Sequence, residues 1–202
     1  MLIWFASGNA HKKREIEALL KGRLGAVELR IPGEAGIPFE PEENGAAFLD
    51  NALIKARSLR LLLDSRGLEG PVLADDSGLC VDALGGRPGV HSARYGGGAG
   101  QAERNRLLLA ETEGCAERGA RFVCALVLLY SGDRFYAVQE TLEGELLRES
   151  RGGGGFGYDP LLYLPELGRT VAELTEEEKN TLSHRGKAGR ALARFLEDTP
   201  RA

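Results

Sequence analysis

The chain has 202 residues, 43% of them apolar and 28% charged, enough to bury a full core as one large domain or two joined lobes without a disulfide or structural metal. Thirty acidic residues against 26 basic ones give a net charge of −4 and no basic block, which argues against polymeric nucleic acid as a partner. No apolar run approaches the roughly 20 residues of a membrane span, and the three cysteines are odd in number and outside any CxxC spacing. A soluble cytoplasmic protein with reduced thiols is therefore expected, without membrane partners.

The opening LIWFA (2–6) has the apolar continuity of a buried strand, and Ser7-Gly8-Asn9 turns it into a helix over about 12–21. A short strand is predicted over 28–31, followed by a loop punctuated by proline and glycine. Apolar residues at helical spacing from Phe48 to Leu63 predict a long helix over about 44–65, with Asn44 as its cap. Two strands, 71–75 and 79–84, are predicted on either side of a turn at Asp76-Ser77-Gly78. A helix follows over about 100–113. The run RFVCALVLLY (121–130) reads as a buried strand, paired through a Ser-Gly-Asp turn with 134–147. A short strand over about 160–164 and helices over 176–182 and 184–197 complete the chain, and Thr175-x-x-Glu178 forms a capping box. Hairpins mixed with crossovers predict an α/β protein with a mixed sheet.

Glycine is in clear excess, 28 residues gathered partly at 85–86, 96–98 and 152–155, where backbone must turn or approach a ligand closely. Four segments have chemical potential. SGNAHK (7–12) joins a strand to a helix start, where backbone N–H groups attract phosphate and Lys12 adds a charge, although an ordinary capped turn has the same composition. LADDSG (73–78) offers carboxylates suited to Mg2+, a hard cation that favours oxygen; a plain Asp-rich turn fits it equally well. GGGGFGYDP (152–160) presents Phe156 for stacking on a planar base, or is a simple surface loop. EEEKNTLSHRGK (176–187) brings Lys179, His184 and Arg185 near one another in sequence, though its acidic triplet also suits a helix start.

Together the segments are more specific than any one of them. SGNAHK, FLDNALIKA (48–56), LADDSGLCVDALGGRPGVHSARY (73–95), GGFGYDPLLY (154–163) and AELTEEEKNTLSHRGKA (172–188) occur in this order. The sequence resembles the inosine triphosphate pyrophosphatase family, hydrolases of non-standard purine nucleoside triphosphates. The resemblance implies an elongated mixed α/β fold with two lobes around a central cleft, assembled as a homodimer. It places the triphosphate on Ser7, Gly8, Asn9, Ala10, His11 and Lys12. It makes Asp76 the catalytic base and, with Glu43, a ligand of Mg2+. Ser77, Phe156, Gly157, Tyr158, Asp159, Lys179, His184 and Arg185 match substrate-contacting positions. Asp50 stands where relatives often carry Glu.

The implied reaction is attack of water on the α-phosphorus, releasing nucleoside monophosphate and pyrophosphate. Mg2+, Lys12 and Lys179 are expected to offset the charge moving onto the leaving group. A carboxylate beside a metal is a weak base, so the metal is expected to acidify the water that Asp76 orients. Donors such as Arg185 or His184 would accept a 6-oxo purine and meet the 6-amino group of adenine donor to donor. Two other classes share these features: a nucleotide-binding regulator without turnover, and a metal phosphatase releasing orthophosphate. A Nudix hydrolase is disfavoured, since no helix carries the required glutamates.

Overall fold

The computed structural model describes residues 1–97, 100–131 and 134–199. Gly98 of one glycine cluster and the Gly132-Asp133 turn lie outside the described residues. The strands are β1 (Leu2–Phe5), β2 (Glu28–Arg30), β3 (Val72–Val81), β4 (Gly119–Ser131), β5 (Arg134–Leu146), β6 (Leu162–Leu164) and β7 (Arg169–Thr170). They form one seven-stranded sheet in the order β2-β1-β3-β4-β5-β6-β7. The α-helices are α1 (Ala10–Leu24), α2 (Phe48–Asp64), α3 (Gln101–Glu111), α4 (Glu176–Leu182) and α5 (His184–Asp198). β1 runs parallel to both β2 and β3, as the helical crossovers α1 and α2 require, whereas β5, β6 and β7 are antiparallel neighbours. The fold is an open, mixed α/β sheet. Among the described residues no helix is long and apolar enough to cross a membrane.

The chain divides into two compact units, and β3, β4 and β5 each contribute to both. The first comprises Met1–Asp76, Cys124–Glu140 and Arg185–Ala202. Its core follows strand alternation: Ile3 and Phe5, Leu73, and Cys124, Leu126 and Leu128 join Ile16 and Leu20 of α1 and Ala188, Leu192 and Ala193 of α5. Gly189 of α5 lies so close to Leu19 of α1 that a β-carbon there would meet its side chain at 2.8 Å. Glycine within a helix costs about 1 kcal/mol against alanine; here it lets two helices pack on one side of the sheet. The second unit comprises Ser77–Val123 and Thr141–His184. Leu79, Val81, Ala120, Phe122, Leu142 and Leu146 from its strands meet Leu108 of α3, Tyr158 and Leu161.

Three local expectations change. The residues 71–84 are not two strands around a turn: β3 is one ten-residue strand running through Asp76, Ser77 and Gly78. Gly78 serves close approach instead, because a β-carbon there would collide with the Ser92 side chain and the Gly89 carbonyl. Ser92 locks that contact, its hydroxyl donating to Gly89 O at 2.6 Å and accepting from Leu79 N at 2.9 Å. Second, α2 begins at Phe48 with Ala47 rather than Asn44 as its N-cap. The Asp50 carboxylate accepts the Ala47 N–H at 3.0 Å, so a short acid at position 50 closes this helix start. Third, α1 is longer than predicted, because Asn9 caps it by accepting from His11 N and Lys12 N at 2.9 and 3.1 Å. The Thr175–Glu178 capping box forms as predicted.

Gly78→Ala is expected to cost about 1–3 kcal/mol in urea denaturation, the range for overpacking. Gly114→Ala, where an added β-carbon has nothing within 4 Å, is the control and should stay within about 0.5 kcal/mol of the parent.

Candidate active site

Strand geometry decides what the paired aspartates of β3 can do. Successive side chains on a strand point to opposite faces, so Asp75 and Asp76, both in the first unit, are adjacent in sequence yet surrounded by different groups. Asp75 is fully buried. Its Oδ1 accepts from Lys12 Nζ at 2.5 Å, and its Oδ2 accepts from Arg185 Nε at 2.8 Å with the Cys124 thiol at 3.4 Å. Arg185 also donates to Glu15 at 2.7 Å. Burial works to raise the Asp75 carboxyl, but the Arg185 and Lys12 charges outweigh it and hold the group well below the usual carboxylate range. Burial of the thiol, followed by the neighbouring Asp75 charge, pushes Cys124 well up.

Asp76 belongs to a second cluster. Its Oδ1 accepts from Lys55 Nζ at 2.7 Å, its Oδ2 lies 3.4 Å from Asn51 Nδ2, and Lys55 Nζ also reaches Glu43 Oε2 at 3.2 Å. Asn51 is itself held, its Oδ1 accepting from Gly45 N at 2.8 Å. Burial pushes the Asp76 carboxyl up; Lys55 opposes this, and the Glu43 charge adds to it. Burial disfavours the Lys55 charge, but Asp76 and Glu43 overcome it and keep the amine an ammonium. Two carboxylates thus converge on one cation. Oxygen donors of this kind suit a hard cation such as Mg2+, which takes one or two carboxylates and completes its shell with water and phosphate oxygens. Asp76 and Glu43 are the residues here that could hold such an ion; among the described residues there is no group of three or more His, Cys, Asp or Glu side chains that could do so.

The turn into α1 carries the first predicted segment. Ser7 Oγ accepts from Asn9 N at 3.1 Å, Gly8 is exposed, Ala10 opens the helix, and His11 Nδ1 lies 2.8 Å from the Arg14 guanidinium. Lys12 Nζ is the charge that this segment sends to β3.

In the second unit, Gly155 and Gly157 take left-handed φ values of 70° and 64°, a conformation that glycine adopts at no steric cost. At Gly155 a side chain would also strike the Asp159 carboxylate. That carboxylate, buried, accepts from Phe156 N and from Lys179 Nζ, both at 2.8 Å. Lys179 Nζ lies 4.6 Å from the centroid of the Phe156 ring. Asn105 of α3 donates to Gly157 O at 3.1 Å, and the Tyr158 hydroxyl donates to Ser92 O at 3.0 Å. Burial pushes that phenol up to about 12. His184 stacks on Phe122 with centroids 4.9 Å apart. Ser77 is half-buried on β3.

The structure thus joins Lys12 with Arg185, Glu43 with Asp76, and Phe156 with Asp159 and Lys179. Sequence reasoning offered Asp75 only as one of the LADDSG carboxylates for a metal, and it missed the other connectors: Glu15, Asn51, Lys55 and Asn105. A signal for two of them was present. Asn51 and Lys55, one helical turn apart, fall on the same face of α2 as Phe48, Ala52, Ala56, Leu59 and Leu63, and all seven are buried; a lysine and an amide in such a stripe need a buried partner.

A model of the Ham1 family matches residues 3–195. The dITP/XTP pyrophosphatase of Treponema denticola is 47% identical over 98% of this chain and 99% of its own length. That of Thermus thermophilus is 48% identical over 99% and 94%. A solved HAM1 protein from Coxiella burnetii superposes with a TM-score of 0.87 at 40% identity, covering 98% of this chain and all of its own. A nucleoside-triphosphatase/dITP/XTP pyrophosphatase from Mycobacterium abscessus gives 0.74 at 42% identity, covering 97% and 99%.

Asp75→Asn should destabilise the protein at neutral pH by about 3–5 kcal/mol, because it leaves buried cations without their carboxylate. The folded pKa of Asp75 lies below the unfolded value of about 3.9. Its contribution is therefore complete above the unfolded pKa and is lost as pH falls through the folded one. Urea titrations of parent and variant should show a stability gap that narrows as the solution is acidified below about pH 4; a gap independent of pH would contradict the charged role.

Proposed function

Since the chain belongs to the Ham1 family, we propose that it hydrolyses the non-standard purine nucleoside triphosphates ITP, dITP and XTP to nucleoside monophosphate and pyrophosphate. It would thereby clear deaminated purines from the cytoplasmic nucleotide pool, acting as a homodimer. The observation that carries the chemistry is the Asp76–Lys55–Glu43 cluster, a buried carboxylate raised in pKa beside a fixed ammonium and a second carboxylate.

In this reading Asp76 orients a water against the α-phosphorus and accepts its proton. Burial pushes its carboxyl up, whereas a cation held beside it would work the other way, so acidification of the water by the metal would carry the larger share. Lys55 fixes the carboxylate from one side, and Asn51 approaches its other oxygen. Asp76 and Glu43 would hold Mg2+, which when bound supplies Lewis acidity at the phosphates and acidifies the water. Lys12, at the positive end of α1, meets the triphosphate together with the Ser7 to His11 backbone. Lys179 is paired with Asp159 and lies over Phe156, which supports a role at the base rather than at the phosphates. Phe156 offers the stacking ring. Arg185 and His184 supply donors for a 6-oxo group; against adenine a donor would face a donor, a mismatch worth up to about 10⁴-fold where the buried groups stay unpaired.

The test is a product assay with ITP, XTP, GTP and ATP, with Mg2+ or with EDTA, quantifying pyrophosphate and orthophosphate separately. Pyrophosphate from ITP and XTP, abolished by EDTA and weak from ATP and GTP, is the expected result. Orthophosphate as first product would sink the α-phosphorus assignment. Asp76→Asn should retain nucleotide binding while kcat falls by about 10²–10⁴-fold, the usual contribution of a general base; near-normal turnover would remove Asp76 from that role.

A further inference from the structure

The proposed chemistry gives Asp75 nothing to do, yet its carboxylate is the more heavily engaged of the pair on β3. It is fully buried, and its two oxygens face two different cations. It points to the opposite face of the strand from Asp76, and both of its oxygens are already engaged, one by Lys12 and the other by Arg185. Its partners are the two groups assigned to opposite ends of the substrate: Lys12 for the triphosphate and Arg185 for the purine. Arg185 is only 2% exposed and is gripped from a second direction by Glu15, so the direction of its guanidinium is set by these two acids. Lys12 is less confined, with 14% of its side chain exposed.

We propose that Asp75 is a positioning residue that sets Lys12 and Arg185 from one carboxylate and so couples recognition of the triphosphate to selection of the base. The proposal rests on the reading of Lys12 and Arg185 as substrate contacts. The physical basis is the plane of one carboxylate, whose two oxygens are held by two different cations. When a phosphate fixes the Lys12 ammonium between itself and Asp75 Oδ1, the carboxylate plane is fixed with it, and so is the direction in which Oδ2 holds the Arg185 guanidinium. Without Lys12, or with a neutral residue at 75, that orientation relaxes, and rejection of a 6-amino base weakens although no atom that touches the base has changed. Strand β3 suits this role, since a residue within a sheet moves less than one on a loop.

The experiment is kcat/KM for ITP and for ATP in the parent, Lys12→Gln, Asp75→Asn and Asp75→Glu. Coupling between sites of this kind is about 5–150-fold, so Lys12→Gln should lower the ITP-to-ATP preference by at least about fivefold beyond its loss of overall rate. If Lys12 is a phosphate contact only, both substrates lose equally and the preference stays put, which overturns the coupling. Asp75→Asn should erode the preference likewise, and Asp75→Glu should restore part of it. The ratio does not depend on how much of a variant is folded, so lost stability alone leaves it unchanged. Where Asp75→Asn yields no folded protein, Lys12→Gln decides alone. A parent without ITP turnover removes the activity on which the proposal stands, and the proposal with it, whereas a selective parent whose preference survives Lys12→Gln removes the coupling alone.

Discussion

Two adjacent carboxylates in the middle of a buried strand are the constraint from which the rest of the first unit follows. A charged group taken out of water costs several kcal/mol unless a partner of opposite sign meets it with good geometry. Asp75 and Asp76 incur that cost side by side, and the alternation of β3 gives each carboxylate its own hydrogen-bonded cations. Each face must supply its own cation. On one face α1 brings Lys12 and α5 brings Arg185; on the other α2 brings Lys55. The helices are therefore placed by apolar packing, as where Gly189 lies against Leu19, and also by the demand that buried charges be answered.

The second unit repeats the device on a smaller scale. Asp159 is buried, and one of its oxygens receives both the Lys179 ammonium and the Phe156 N–H. A single carboxylate thus fixes a cation and the backbone entry to an aromatic ring. The positive φ at Gly155 and Gly157 is what folds the loop tightly enough for that carboxylate to reach back. The glycine-rich loop is in this sense well defined by charge.

Much of this was legible in the sequence. Apolar continuity in 2–5 and 121–130, helical spacing in α2 and α5 and the Thr175–Glu178 box all have short-range causes, and the structure reproduces them. The error at residues 76–78 has a physical origin: Asp, Ser and Gly favour turns through local hydrogen bonds and positive φ, but at Gly78 the missing side chain is used for contact with Gly89 and Ser92, far along the chain. The site residues carried by motifs were visible because their neighbours in sequence are distinctive. The contacts that connect them were not, because the partners lie far apart, 110 positions for Asp75 and Arg185 and 170 for Arg185 and Glu15. Lys55 is the exception, legible in principle as a charge inside an apolar helical stripe.

The choice of cation on each side of Asp75 follows from what each must do. Arg185 satisfies two acids at once because its guanidinium offers separate N–H groups in a rigid plane, Nε toward Asp75 and one terminal nitrogen toward Glu15. A lysine there would supply a point charge on a flexible stem and leave the angle between the acids undetermined. Lys12 stands in the reverse position. Its ammonium has no preferred plane, its stem can swing, and it is the less buried of the two cations, so it can redirect toward an arriving phosphate at little geometric cost. One carboxylate held between a rigid cation and a mobile one is biased by whatever engages the mobile one, and that bias passes to the rigid one as orientation.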